Sequence, residues 1–309
     1  MGMGCSTRLL LIFGVVIIIL LGTSLVLGRL GTDKPLFPEP KLHLSSQPLI
    51  PTAERDKALE HPEEYRLPPS RFLITNTILA SWFTILFLVG FFYFATRRIR
   101  EVPGRLQGMA ESILELLIGL IEGAIGRERT RMVLPLVATI FLYVLFNALL
   151  AILPIFGPLG FFGEHGDVEI PLLRNASTDI NVPLATALFA VLVVEYWGMR
   201  AIGSLRYLGQ FFNVRDLLRG RPLGIINLFV GGLEALSHLI RIVSFTFRLF
   251  GNMTAGKTLV LIIAFLLPFL TFGFYGLEVL IGVIQALIFA GLTLVFATVA
   301  VTPHEEDAH

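Results

Sequence analysis

The sequence predicts an all-α integral membrane protein with about six membrane-embedded helices, at roughly 20 apolar residues per crossing. Three observations carry that prediction. Of 309 residues, 55% are hydrophobic and only 15% are charged, against about 25% charged in an ordinary soluble domain. The apolar residues fall in runs long enough to span a hydrocarbon core of about 30 Å. The arginines cluster between certain runs in the way that fixes which loops stay on the cytoplasmic side. Lys plus Arg (24) nearly balances Asp plus Glu (23), so there is no general attraction to nucleic acid, and that class of function is excluded. The single cysteine, Cys5, permits no internal disulfide and has no partner for a metal site. No cofactor is expected.

Three regions follow along the chain. Residues 1–28 are expected to be an N-terminal membrane anchor. Their run from Leu9 to Leu27 follows Arg8 and has 19 residues, longer than a signal-peptide core of about 7 to 15, and no clear small-residue cleavage site follows. The opening MGMGCS fits the myristoylation pattern, but a membrane span follows at once, so the anchor is preferred. Residues 29–71 form a polar, Pro-rich outer loop. Residues 72–309 form the main membrane domain.

Within that domain, Phe72 to Ala95 is a second span. It stops at Arg97, Arg98 and Arg100, which places that end inside and the 29–71 loop outside, with the N-terminus cytoplasmic. Arg105 to Ile125 carries apolar residues at helical spacing with Glu111, Glu115 and Glu122, the pattern of an amphipathic interfacial helix. Met132 to Leu153 is a third span, stopped by Pro154. The acidic loop after it holds Glu164, Asp167, Glu169 and Asp179 against Arg174 and suits the outer side. A fourth span, Val182 to Ile202, leads to Arg206, Arg215, Arg219 and Arg221 with only Asp216 against them, a cytoplasmic loop.

Ile225 to Leu267 and Leu270 to Ala300 complete the set as a long, steeply tilted helical hairpin, the fifth and sixth spans. A helix of 43 residues would be about 65 Å long, twice the hydrocarbon thickness, so it must tilt, bend or run along the interface. Both chain ends are then cytoplasmic. No internal repeat of the kind common in secondary transporters is present.

The fifth span carries Glu234, His238, Arg241, Ser244, Arg248 and Asn252. At 100° per residue all but Ser244 fall within about 40° of the Glu234 direction, and Ser244 lies about 80° away, so they line one face. The stripe is about 27 Å long, close to the hydrocarbon thickness. Arg248 is its sharpest member. Its guanidinium stays charged, and an arginine at mid-membrane costs at least about 2.5 to 3.5 kcal/mol. One reading has it snorkel or pair with a neighbouring carboxylate for structural reasons. The other uses its permanent charge to make an adjacent carboxylic acid release a proton.

The stretch SFTFRLFGNMTAGKTLV (244–260) resembles the signature of subunit a of F-type ATP synthases, the stator of the rotary proton channel. The resemblance extends to VPGRLQGMAESILELLIGLIEGAIG (102–126), LPLVATIFLYVLFNALLAILP (134–154), TDINVPLATAL (178–188) and LIGVIQALIFAGLTLVF (280–296), in family order. It covers most of the chain from about residue 70.

By this resemblance Arg248 is the essential arginine facing the ring of c subunits, each of which carries one intramembrane carboxylate. Asn252 and Gln285 match polar family positions near it. Asp179 matches an acid of the outer half-channel, and Glu234 one linked to the half-channel open to the cytoplasm. The resemblance also implies the b-subunit peripheral stalk, other synthase subunits and membrane lipids as partners, a bacterial plasma membrane location, and no catalytic site in this chain.

Two positions depart from the family pattern. Lys257 stands where relatives usually have Glu or His, and Glu278 where some have His. A Lys257–Glu278 pair would either preserve the site with altered proton chemistry or be a structural salt bridge. Lys257 also completes GNMTAGKT (251–258), which fits the phosphate-binding pattern G-x-x-x-x-G-K-[ST]. That match is accidental, since a P-loop needs a preceding strand and an aqueous site, and this octapeptide lies within an apolar segment.

Glu195 on the fourth span either lines the cytoplasmic half-channel or snorkels to the interface. His238 either relays protons or is a hydrogen-bonded structural residue. Trp82 and Trp197 read as packing or interface residues, and the glycosylation patterns at Asn175 and Asn252 carry little weight. The competing function is a secondary transporter or stand-alone ion channel that uses Arg248 as a gating or binding charge. Co-purification of a ring of small two-helix subunits discriminates the two. A membrane scaffold without ion passage leaves the polar stripe unexplained.

Overall fold

The computed structural model describes residues 46–50, 52–60, 73–153, 160–162, 168–203, 207, 223–267 and 269–301. The N-terminal anchor of residues 1–28 and the arginine-rich loop after the fourth span lie outside these, apart from Tyr207. The expected all-α membrane architecture is what is observed. Among the described residues, five helices are long and apolar enough to cross a membrane.

Helix α1, Thr52–Glu60, is short and precedes them. Helix α2, Asn76–Thr96, begins where the Thr75 hydroxyl accepts a hydrogen bond from Ile78 N, an N-cap, and it ends against the arginine cluster. Helix α3, Arg105–Ile125, coincides with the expected amphipathic segment. It buries Ala110, Leu117 and Ile121 while Glu111 and Glu115 stay exposed. Gly126, with φ of +79°, separates α3 from α4, Arg127–Ile152. That left-handed conformation favours glycine, so the break between two apolar helices is written into one residue. Pro135 lies inside α4, where it removes one helix N–H.

Helix α5, Asn181–Ile202, ends at Gly203, again at positive φ. Helix α6, Leu223–Leu266, is one unbroken helix of 44 residues, about 66 Å long. Helix α7, Thr271–Val301, returns antiparallel through a short turn.

The chain forms two compact units. The smaller, among the described residues, is Ala255–Glu278: the end of α6, the turn and the first turns of α7. The larger holds the rest. Its core joins Leu117 and Ile121 of α3, Val137, Phe141 and Val144 of α4, Ala187 and Ala190 of α5, Phe245 and Leu249 of α6, and Ala286 and Phe289 of α7. Small residues let the backbones approach where lipid-like side chains give little net drive to associate. Phe87 and Phe91 of α2 meet Phe146 of α4 with ring centroids 5.8 and 5.7 Å apart.

Within residues 29–71, the described part contains a strand and a helix. Strand β1, Pro48–Ile50, pairs antiparallel with β2, Ile74–Thr75, while Gln47 and Asn76 exchange two hydrogen bonds. Leu49 and Ala58 of α1 bury against Ile170 in β4, Val168–Pro171, which pairs with β3, Gly160–Phe162. The pairing satisfies backbone groups, and the few apolar residues of a polar segment find a common small core. Composition alone does not register such a match.

Candidate functional site

Arg248 lies mid-way along α6 and is half-buried. Its Nη2 donates to Ser244 Oγ at 3.3 Å, one turn away, and its guanidinium carbon is 5.9 Å from the centre of the Phe245 ring. Among the described residues no carboxylate lies within 4 Å of it; the ion pairs found there involve other residues. The charge is therefore held by a hydroxyl and, at a distance, an aromatic ring, both weak partners for a cation in an apolar setting.

One turn further, Asn252 Nδ2 donates to Gln285 Oε1 at 2.7 Å, joining α6 to α7. Gln285 is only 1% exposed, flanked in the core by Ala286 and Phe289. A short amide–amide bond in low dielectric is strong, and it fixes the rotation of α7 beside Arg248.

Toward the other end of the polar face, Glu195 on α5 meets His238 on α6 in an ion-pair contact between Oε1 and Nδ1, and it accepts a hydrogen bond from the Tyr207 hydroxyl. Arg241 stacks on the Phe296 ring of α7 with its guanidinium carbon 3.5 Å from the centroid, and it lies within electrostatic reach of Glu195 and Tyr207. Glu234 is exposed and acts on Tyr207 through space. Burial, then the hydrogen bond to the Glu195 carboxylate, push the Tyr207 phenol well above its usual range, so it remains a neutral donor.

A second polar cluster surrounds Asp179. Thr77 of α2 donates to its Oδ2 at 2.9 Å, and the backbone N and Nδ2 of Asn181 donate to its Oδ1 at 3.1 and 2.9 Å. The carboxylate thus caps the start of α5, where backbone N–H groups are free to receive it. Arg174 is 5% exposed, and its Nε donates to Thr178 Oγ1 at 3.1 Å. Burial lowers its pKa and the charge of Asp179 opposes that shift. Asn147 of α4 reaches this cluster through Asn175 Oδ1 at 3.2 Å and Ser177 Oγ at 2.6 Å.

In the smaller unit, Glu278 of α7 packs over α6. A Cβ added to Gly256 would lie 3.6 Å from Glu278 Oε1, and Lys257 acts on that carboxylate electrostatically. Gly251–Thr258 is helical throughout, so GNMTAGKT has no phosphate-cradling loop.

The structure thus brings Glu195 to His238, Asn252 to Gln285, Ser244 to Arg248, and Lys257 to the neighbourhood of Glu278. Glu234 and Asp179 are not joined to any of these by a described hydrogen bond. Sequence reasoning passed over Tyr207, Arg174, Thr77 and Asn147. Asn147 carried a signal, a lone amide inside an apolar span. Arg174 was visible only as the one base of an acidic loop. Tyr207 and Thr77 had none, because their partners are 12 and 102 positions away.

Among the described residues, five apolar helices, a half-buried arginine with no carboxylate within 4 Å and separate acidic groups along and beside its helix mark a polytopic membrane protein of the ion-translocating class. The family model described as ATP synthase A chain matches residues 78–298. The chain is 31% identical over 264 residues to the ATP synthase subunit a of Gloeobacter violaceus, covering 85% of this chain and 96% of that protein. It is 30% identical over 224 residues to that of Moorella thermoacetica, covering 72% and 89%. It is 28% identical over 241 residues to that of Mycobacterium tuberculosis, covering 75% and 89%. The chain belongs to the ATP synthase subunit a family.

Proposed function

We propose that this chain supplies the two offset half-channels through which protons reach and leave the carboxylates of a rotating c-ring, coupling proton flow to ATP synthesis. The observation that carries this reading is Arg248. It is a permanent charge in an apolar helix, hydrogen-bonded to Ser244 but with no carboxylate within 4 Å among the described residues. An anionic partner from outside the chain would offset its desolvation, and a ring carboxylate passing that face is such a partner.

Asp179 takes the role of inlet acid, with Glu278 and Lys257 on the same inlet route. Asn252 and Gln285 hold the α6–α7 geometry beside Arg248. Glu234, Glu195 and His238 serve the route open to the cytoplasm. A proton from the inlet neutralises a ring carboxylate, which then rotates into lipid without the cost of a buried charge. After nearly a full turn the carboxyl releases its proton to the cytoplasmic route. Arg248 separates the two routes, and its attraction for the ionised carboxylate prevents protons crossing without rotation. Each ion brings about 2.3 kcal/mol per 100 mV, so several must pass for each ATP.

In this reading the chain has no catalytic site of its own. Its partners are the c-ring, the b-subunit stalk, the remaining synthase subunits and lipids, not nucleic acid. It lies in the bacterial plasma membrane with both termini cytoplasmic, residues 1–28 as an anchor, 29–71 outside, and 72–309 as the conducting domain.

The test is Arg248→Ala in the assembled complex. The expected outcome is loss of proton-driven ATP synthesis in membrane vesicles while the ring still co-purifies. Normal synthesis in that variant overturns the mechanism. A lone chain moving solute without a ring would favour the transporter alternative.

A further inference from the structure

Glu195 projects from α5 toward α6, but neither helix alone fixes its carboxylate. Two donors do. His238 contacts one oxygen, and the Tyr207 hydroxyl donates to the other. Tyr207 lies past the end of α5 at Gly203, and its side chain returns to Glu195 on that helix.

Gly198 makes room for that return. A Cβ at this position would lie 2.9 Å from Tyr207 Cε2, 3.3 Å from Cζ and 3.4 Å from the hydroxyl oxygen, so the aromatic ring rests where any larger residue would intrude. Gly198 is three residues past Glu195, hence on the same side of α5. One face of one helix turn therefore presents both the seat for the ring and the acceptor for its hydroxyl.

We propose that Tyr207 is a positioning residue of the cytoplasmic proton route: seated on Gly198, it holds the Glu195 carboxylate against His238 so that the acid and the imidazole form one proton-exchanging unit. This rests on the assignment of Glu195 and His238 to that route. Among the described residues around the carboxylate, α6 contributes His238, Arg241 and the more distant Glu234, and α7 contributes the uncharged Phe296 under Arg241. On α5 itself the nearest other charge is the exposed Arg200. Tyr207 is an uncharged donor, so it orients the carboxylate without adding another cation to the site.

A phenol hydroxyl donates more strongly to a carboxylate than to a neutral acid, so a positioning role is read in the pH dependence of the route, whereas a merely structural tyrosine would leave that dependence in place.

The experiment compares Tyr207→Phe, Gly198→Ala and Glu195→Gln in the intact complex, measuring ATP-driven proton pumping by inverted vesicles as the pH on the cytoplasmic side is varied. Co-purification of the ring checks assembly. In Tyr207→Phe the midpoint of the pH profile is expected to move upward by about one unit, the scale of one hydrogen bond to a charged group. Gly198→Ala, which keeps the hydroxyl but displaces the ring, is expected to shift it in the same direction, and it carries the test if Tyr207→Phe fails to assemble. An unmoved midpoint in the assembled tyrosine or glycine variant, together with impaired Glu195→Gln, overturns the positioning role and leaves the cytoplasmic route standing. Normal pumping in Glu195→Gln overturns the route assignment itself, and the proposal with it.

Discussion

Asn252 on α6 and Gln285 on α7 are 33 positions apart in sequence and joined by a hydrogen bond of 2.7 Å, one helical turn beyond Arg248. The bond ties the two long helices together at the level where the arginine is presented. Gln285 contributes a buried amide that no apolar residue of similar size can replace without leaving Asn252 unsatisfied.

Gln285→Leu is therefore expected to lower the thermal stability of the purified complex, by about 1 kcal/mol for the lost bond and the orphaned amide. The double variant Asn252→Leu with Gln285→Leu should cost less than the sum of the two single changes. Additive losses would show that the two amides act independently.

Lys257 and Glu278 are expected to be coupled. In a double-mutant cycle with Lys257→Ala and Glu278→Ala, the effects on ATP-driven proton pumping should be non-additive, because each removal leaves the other charge in an apolar region. Additive effects would argue against direct pairing.

Asp179 acts electrostatically on the buried Arg174. Asp179→Ala removes that attraction together with the hydrogen bonds from Thr77 and Asn181 and should destabilise the assembled protein by about 1 to 3 kcal/mol. Arg174→Met combined with Asp179→Asn should recover part of that loss. Thermal unfolding of the three variants in detergent measures the difference.

Gly282 allows α7 to approach α4, since a Cβ there would lie 2.8 Å from Ala148 Cβ. Gly282→Val should cost about 1 to 3 kcal/mol through overpacking, and Ala148→Gly should partly relieve it. Thermal unfolding of the complex is the readout, and unchanged stability in Gly282→Val would show that the helices separate freely.

Tyr207 makes a pH-dependent contribution to stability. Its pKa is raised on folding by burial and by Glu195, so the neutral phenol is the form that stabilises the fold. The contribution is fully present below the unfolded value of about 10 and is lost as pH rises through the folded value. The stability difference between the native chain and Tyr207→Phe should therefore be flat from about pH 6 to 9 on Tyr207's account and narrow only above about pH 10. A narrowing at neutral pH would contradict this.

The sequence by itself determined the membrane class, the approximate positions of the five described spans, the amphipathic helix at Arg105–Ile125 and the prominence of Arg248, while the starts of two helices lie four and five residues from their expected places, at Asn76 and Arg127. These are local properties. A span is a run of apolar residues of known rise, an amphipathic helix is a period of 3.6, and a charge inside an apolar run stands out without reference to any other part of the chain. Tertiary structure alone decided which polar groups meet. Thr77 reaches Asp179 across 102 positions, Asn252 reaches Gln285 across 33, and Tyr207 turns back over Gly198 to reach Glu195. It also gave the segment ahead of α2 its strand and helix, through a few apolar residues that match a distant hairpin. Such pairings depend on how helices pack and rotate about one another, and small residues such as Gly282 and Ala286 permit many packings until every contact is considered together. Composition places charges in the membrane, whereas packing decides which of them hydrogen-bond to one another and which, like Arg248, remain without a carboxylate among the described residues.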